Sequence, residues 1–258
     1  MKLLIAGCSY TNGCGLPGEK DNPKIWPNQL AQRLNVDSIT NVAKSGANNQ
    51  KIFLETISAM IKNHYDLILV SWSVIGRFNF HVGLERYPVG TLLTDSHDVN
   101  IVGGQTISKK WLLETGDRLR KLHNDHWDLL ELVKYVNVLV GLQKSSGGKI
   151  FFVNGIGSWS DQYFVKKQIQ LPSDLDRYTY NLLDADMRDD EEIFALYNMI
   201  HQHYNEYGGI QENLWLNLYQ SLLKMKIDSV SNDDLHPGIL SQDLFTDFLY
   251  KRITEKIK

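Results

Sequence analysis

Two short stretches at opposite ends of the chain carry side chains that could do chemistry together. Near the start, the apolar run Leu3-Leu4-Ile5-Ala6 breaks off at Gly7, and Ser9 follows two residues later. Near the end, Asp233-Asp234-Leu235-His236-Pro237 puts an acid three residues before a histidine. A serine hydroxyl becomes a nucleophile when a base within hydrogen-bond reach takes its proton, and the base works when a carboxylate holds it in the right tautomer. Ser9, His236 and Asp233 supply those three roles. The three-residue gap lets an acid and a histidine on one loop face each other, which selects Asp233 and leaves Asp234 to solvent. Pro237 restricts the backbone of His236 and marks the boundary before a last helix.

For these residues to meet, the intervening chain must bring its two ends to one edge of a sheet. Strand and helix signals alternate, the pattern of an α/β protein with a mostly parallel sheet. Strands are expected at residues 2–7, 38–43, 66–72 and 149–154, with a short one at 227–230. The continuous apolar run Leu67-Ile68-Leu69-Val70 reads as a strand buried on both faces. Helices are expected at 26–34, with Pro27 in the first turn, and at 48–63, where Ile52, Phe53, Ile57, Met60 and Ile61 recur at helical spacing. Three more are expected at 117–143, stopped before Ser145-Ser146-Gly147-Gly148, and at 211–224 and 240–257. Residues 77–110 and 156–190 fit neither period. Aromatics such as Trp159, Tyr163, Tyr178 and Tyr180 in the second argue against disorder, so both read as insertions that line a pocket. With no repeat and no linker, residues 1–258 form a single domain. Ser9 then lies at the carboxyl end of the first strand, where open α/β sheets bind ligands.

The composition narrows the field. The chain has 258 residues, 43% hydrophobic and 22% charged, enough for a substantial core. A net charge of −3 and the lack of a basic tract give no case for nucleic acid. No apolar stretch approaches the ~20 residues of a membrane helix. Two cysteines, Cys8 and Cys14, are too few and too close for a secreted disulfide framework, and point to reduced thiols in the cytoplasm. Leu4-Ile5-Ala6-Gly7-Cys8 has the look of a lipobox, but a signal peptide needs a charged start and ~7–15 apolar residues, for which there is no room. The glycines from Gly13 to Gly18 imitate a phosphate loop, yet Glu19 stands where the lysine belongs and Asp21 where the hydroxyl belongs. Gly7 and Gly13 are wrongly spaced for a dinucleotide fingerprint. His123 and His126 lack a third ligand for a metal, and Trp26, Trp72 and Trp159 read as core rather than pocket.

Three short blocks in order give the chain a resemblance to the SGNH (GDSL-type) hydrolase superfamily. Gly7-Cys8-Ser9 resembles the first block, with cysteine in place of the usual aspartate. Asn41-Val42-Ala43-Lys44-Ser45-Gly46 resembles the second, and Asp233-Asp234-Leu235-His236-Pro237 the fifth. The resemblance implies a three-layer α/β/α sandwich, flavodoxin-like, on a mostly parallel five-stranded sheet. It implies an esterase or acyl hydrolase acting on a small or carbohydrate O-acyl ester, with Ser9, His236 and Asp233 as the triad and no cofactor or metal. The amides of Ser9 and Gly46 would hold the oxyanion. The third block departs from the family: its Gly-X-Asn-Asp is replaced by Ser71-Trp72-Ser73-Val74-Ile75-Gly76-Arg77. A lost oxyanion donor costs ~2.7–4 kcal/mol. Asn48, Asn49, Ser73 and Arg77 are the candidates to replace it, Asn48 first because it follows Gly46 at a helix start. The same groups could instead transfer the acyl group to an alcohol, or the fold could survive as a catalytically silent binding module.

Overall fold

The computed structural model describes residues 1–73, 78–82, 85–89, 99–100, 106–108, 110–111, 114, 125–156, 214–217 and 221–257. Strand β1 (Lys2–Ala6) shows how the layers arise. Its side chains point alternately to the two faces of the sheet, and all four from Leu3 to Ala6 are fully buried. Leu4 and Ala6 enter one apolar cluster, Leu3 and Ile5 the other. Strands β2 (Ser38–Asn41) and β3 (Leu67–Trp72) lie parallel on either side of β1. In β3, Ile68, Val70 and Trp72 join the first cluster, and Leu67 and Leu69 join the second.

Helices close both faces. After the single-turn helix α1 (Ser9–Asn12) comes α2 (Trp26–Arg33), with proline in its first turn. Helix α3 spans Asn49–Lys62, α4 Asp125–Ser146 and α5 Ile239–Ile257. The first cluster receives Ile52 of α3 and Leu139 of α4; the second receives Trp26 and Leu30 of α2 and Phe245 and Leu249 of α5. The result is an α/β/α sandwich. Gln242 of α5 accepts the buried Trp26 amide at 2.9 Å and so satisfies the open end of α2 across the layer.

Two antiparallel ribbons occupy part of the segment expected as a pocket wall. Strand β4 (Phe78–Val82) pairs with β5 (Glu85–Val89), and β6 (Val99–Asn100) with β7 (Thr106–Ile107). The alternation Phe78-Asn79-Phe80-His81-Val82 is a strand period that the aperiodic reading overlooked. Strand β8 (Lys149–Asn154) completes a parallel sheet of order β2-β1-β3-β8 among the described residues. The chain leaves β1 toward β2 and then crosses back to β3, so the order reverses at β1, and Ser9 follows β1 directly.

The structure differs from expectation at three places. Helix α4 runs through Ser146 because Ser145 and Ser146 donate back to the Leu142 and Gln143 carbonyls, and the chain turns only at Gly147, with φ of 81°. In place of the expected helix at 211–224, residues 214–217 make a single bridge to the edge of the sheet and Leu223–Met225 form one turn of 3-10 helix. Trp215 makes a parallel bridge to Phe152, with Trp215 in the first cluster and Leu216 in the second. The amide of Asn217 locks it there, accepting the Asn154 N–H at 2.8 Å and donating to its carbonyl at 3.0 Å. The expected strand at 227–230 is absent: Ser229 makes one bridge to Pro237, and Ile227 is exposed because Asp228 turns inward to cap α5.

Candidate active site

The turn out of β1 is built for a glycine at position 7. A Cβ there would lie 2.2 Å from Thr11 Oγ1, so any side chain would collide with α1. Cys8 precedes the helix in an extended conformation, and its carbonyl accepts from the Thr11 and Asn12 amides at 3.0 and 2.9 Å. Ser9 is therefore the first helical residue. It is 6% exposed, and its amide lies in the turn where a helix offers no acceptor of its own. Gly13, left-handed at φ 73°, ends the turn.

The loop after β2 is fastened to this turn. The Lys44 amide donates to the Gly7 carbonyl at 3.1 Å, and Asn12 Nδ2 donates to Ser45 Oγ at 3.1 Å and to Glu19 Oε2 at 2.7 Å. Gly46 has φ of 75°, and its amide has no backbone acceptor among the described residues. Asn48 caps α3: its buried side chain accepts the Lys51 amide at 2.9 Å. Asn49 reaches further, and its Oδ1 accepts the Ser73 amide at 2.8 Å, tying the start of α3 to the end of β3. Ser73 is 3% exposed with its hydroxyl unpaired. A cleft of about 610 Å³ opens beside the Lys44–Ser45 turn, lined also by Asn12, Glu19, Asn41 and Glu55. Arg77 lies outside the described residues, as do residues 157–190 with Trp159, Tyr163, Tyr178 and Tyr180, and His123.

The third component corrects an expectation. Asp233 is exposed, and Asp234 is the partner of His236, with Oδ1 2.6 Å from Nδ1. The same oxygen accepts the His236 amide at 3.0 Å. The physical reason is local: an aspartate readily binds the backbone amide two residues on, and that turn carries its carboxylate to the ring as well. Ser231 Oγ accepts the Asp234 amide at 3.0 Å, and Lys226 Nζ holds the Leu235 carbonyl at 2.9 Å, so the loop is braced on both sides. The His236 amide is the largest influence on the Asp234 carboxyl and lowers its pKa. Burial opposes this, while the imidazole and Lys226 add to it, and the carboxyl stays below its ordinary value.

Asp234 also docks against the first segment. A Cβ on Gly15 would lie 2.2 Å from Asp234 Oδ2, so the glycine makes the room the carboxylate uses. The His236 ring packs at 57° to Tyr10, centroids 5.8 Å apart, and Tyr10 is the neighbour of Ser9. The structure thus brings Ser9, Gly46, Asn48, Ser73 and His236 to the carboxyl ends of β1, β2 and β3. No hydrogen bond joins the Ser9 hydroxyl to the imidazole in this arrangement; such bonds are often long before substrate binds. Sequence reasoning passed over the roles of Gly15 and Asp234, although the spacing of two from Asp234 to His236 was the available signal.

The chain is similar in structure to several solved proteins. One is TesA, at 12% identity and TM-score 0.48 over 99% of both chains. Another is a member of the lipolytic G-D-S-L family from Veillonella parvula, at 11% identity and TM-score 0.42 over 98% of both. A third is the esterase EstA from Pseudoalteromonas sp., at 14% identity and TM-score 0.44 over 99% of this chain and 98% of that one. No protein-family model and no curated protein matches the sequence.

Proposed function

We propose that the chain is a divergent SGNH-type serine hydrolase that cleaves a small or carbohydrate O-acyl ester. The observation that carries the reading is the His236–Asp234 pair seated against Tyr10 and Gly15, on either side of the turn that carries Ser9. Because Asp234 occupies Nδ1, the imidazole has Nε2 left for the nucleophile. Ser9 Oγ attacks the acyl carbon as Nε2 takes its proton, and the carbonyl oxygen becomes the oxyanion. The amides of Ser9 and Gly46 are the donors for that charge, each without a backbone acceptor among the described residues. His236 returns the proton to the departing alcohol, and water then releases the acyl group from Ser9 by the same steps in reverse order. At the end of β3, the buried Ser73 hydroxyl, unpaired among the described residues, stands as the replacement for the family's asparagine. In the cleft beside Ser45, the side chains of Asn12, Asn41 and Lys44 offer partners to a hydroxyl-bearing alcohol portion. Cys8 and Cys14 are not joined in a disulfide, which fits action in the cytoplasm, and no helix among the described residues is long and apolar enough to cross a membrane.

The test is labelling with a fluorophosphonate, mapped by mass spectrometry, with His236→Ala as the control. Modification of Ser9 that is lost in the control is the expected result, and an ester panel with and without an alcohol acceptor then separates hydrolysis from acyl transfer. Well-folded protein that leaves Ser9 unmodified would overturn the hydrolase reading and favour a silent binding module.

A further inference from the structure

The Gly46 amide sits in a turn that can hold it in two orientations. The Ala47 amide donates to the Lys44 carbonyl at 3.1 Å, which closes a β-turn with Ser45 and Gly46 at its centre. Gly46 has φ of 75° and Ser45 a negative φ, so the turn is type II. A type I turn over the same four residues keeps the same closing bond and differs by a rotation of about 150° in ψ of its second residue. That rotation turns over the peptide between Ser45 and Gly46, and with it the Gly46 N–H. The closing bond therefore does not select the orientation of this donor. Glycine permits the type II form, and a hold on Ser45 is needed to keep it.

Asn12 supplies that hold. It is the last residue of α1, three after Ser9, and is 5% exposed. Its Nδ2 donates to Ser45 Oγ at 3.1 Å and to Glu19 Oε2 at 2.7 Å. A carboxylate only accepts, so Glu19 fixes the amide with its nitrogen inward and takes one of its two hydrogens, leaving the other for Ser45. The Asn12 backbone is fixed as well, its amide donating to the Cys8 carbonyl at 2.9 Å. Lys44, the residue before Ser45, donates its own amide to the Gly7 carbonyl at 3.1 Å. The first two residues of the β-turn are thus pinned to the segment that carries Ser9, one through the backbone and one through Asn12. We propose that Asn12 is a positioning residue which, through Ser45, keeps the Gly46 amide turned toward the oxyanion. The inference rests on the hydrolase reading and adds to it a residue that acts on the transition state through another group.

The experiment is saturation kinetics of Ser9 labelling in the full chain with a simple alkyl fluorophosphonate. The probe has no hydroxyl, so it reads the oxyanion donors rather than contacts in the cleft. Asn12→Ala and Ser45→Ala should each lower the limiting rate at least about tenfold, toward the ~10²–10³ of a lost oxyanion donor. The half-saturating concentration should stay within about threefold, because the lost interaction belongs to the transition state alone. The double variant should be no slower than either single one, since both break the same contact. Ser45→Thr keeps the acceptor oxygen and should restore the rate. Ser45 is exposed, so its variants fold and decide the matter even if Asn12→Ala does not. A labelled wild type beside an unchanged limiting rate in Ser45→Ala overturns this inference alone, as does a double variant whose losses multiply. A wild type that leaves Ser9 unlabelled overturns the hydrolase reading, and the inference falls with it.

Discussion

Asp234→Asn, set against Asp233→Asn, separates the acid that the structure places on His236 from the acid that spacing selects. One oxygen of Asp234 serves both the His236 amide at 3.0 Å and Nδ1 at 2.6 Å. Asparagine keeps an oxygen for the same two contacts, so the tautomer survives and what is lost is the negative charge. That charge matters when the imidazole becomes positive during attack. With a contact of 2.6 Å the two charge centres are about 4 Å apart, where a unit pair is worth about 4 kcal/mol at an effective dielectric near 20. A loss of that size slows the step about 10³-fold. Asp233 is exposed, and its replacement should change the rate by less than about threefold, within the usual ±0.5 kcal/mol of a surface substitution. The assay is the second-order rate constant for fluorophosphonate labelling of Ser9, which needs no knowledge of the natural ester. Circular dichroism on both variants checks that the loop change leaves the fold intact. A slow Asp233→Asn beside a near-normal Asp234→Asn would refute the assignment and return the orienting role to Asp233.

Three further outcomes follow from the same contacts. Gly15→Ala adds a Cβ 2.2 Å from Asp234 Oδ2 at a φ of 82°, so labelling of Ser9 should slow at least about tenfold, on top of ~1–2 kcal/mol of backbone strain read by urea unfolding. Asn49→Ala strips the Ser73 amide of its acceptor, and a stability loss of about 1–3 kcal/mol by urea unfolding is expected, with Asn49→Asp recovering most of it because the acceptor is kept. In acid, burial works against the Asp228 carboxylate, but the Ser241 and Leu240 donors outweigh it and hold its pKa below the ordinary value. A depressed folded pKa gives stability that is present above about pH 4 and is lost as pH falls through the folded value. Urea midpoints of the wild type should therefore fall more steeply below pH 4 than those of Asp228→Asn.

The layers were legible because a two-sided core writes itself into the strands. Leu3 to Ala6 and Leu67 to Val70 are apolar without a break, and every one of these positions is buried on one face or the other. The helix starts were legible for a similar reason, since Asn48 and Pro27 are residues that a helix end selects by its own chemistry. What escaped was structure that needs a distant partner. Leu214, Trp215 and Leu216 are an apolar run of three, and the edge of Phe152 to which Trp215 pairs lies some sixty residues earlier, beyond the reach of any local pattern.

The acid of the candidate triad escaped for a different reason. Spacing ranks Asp233 and Asp234 by how far each lies from His236 along the chain. The folded loop ranks them by which one closes a hydrogen-bonded turn onto the His236 amide, and only Asp234 does so. The turn is local, but its worth to the site is not, because Asp234 holds its place through Ser231 on one side and the missing side chain of Gly15 on the other. Gly15 lies more than two hundred residues away in sequence. A glycine whose purpose is to leave room for a carboxylate has no signature until both ends of the chain are folded together. Such a glycine ties the identity of the orienting acid to the turn that presents Ser9, so that moving either one disturbs both.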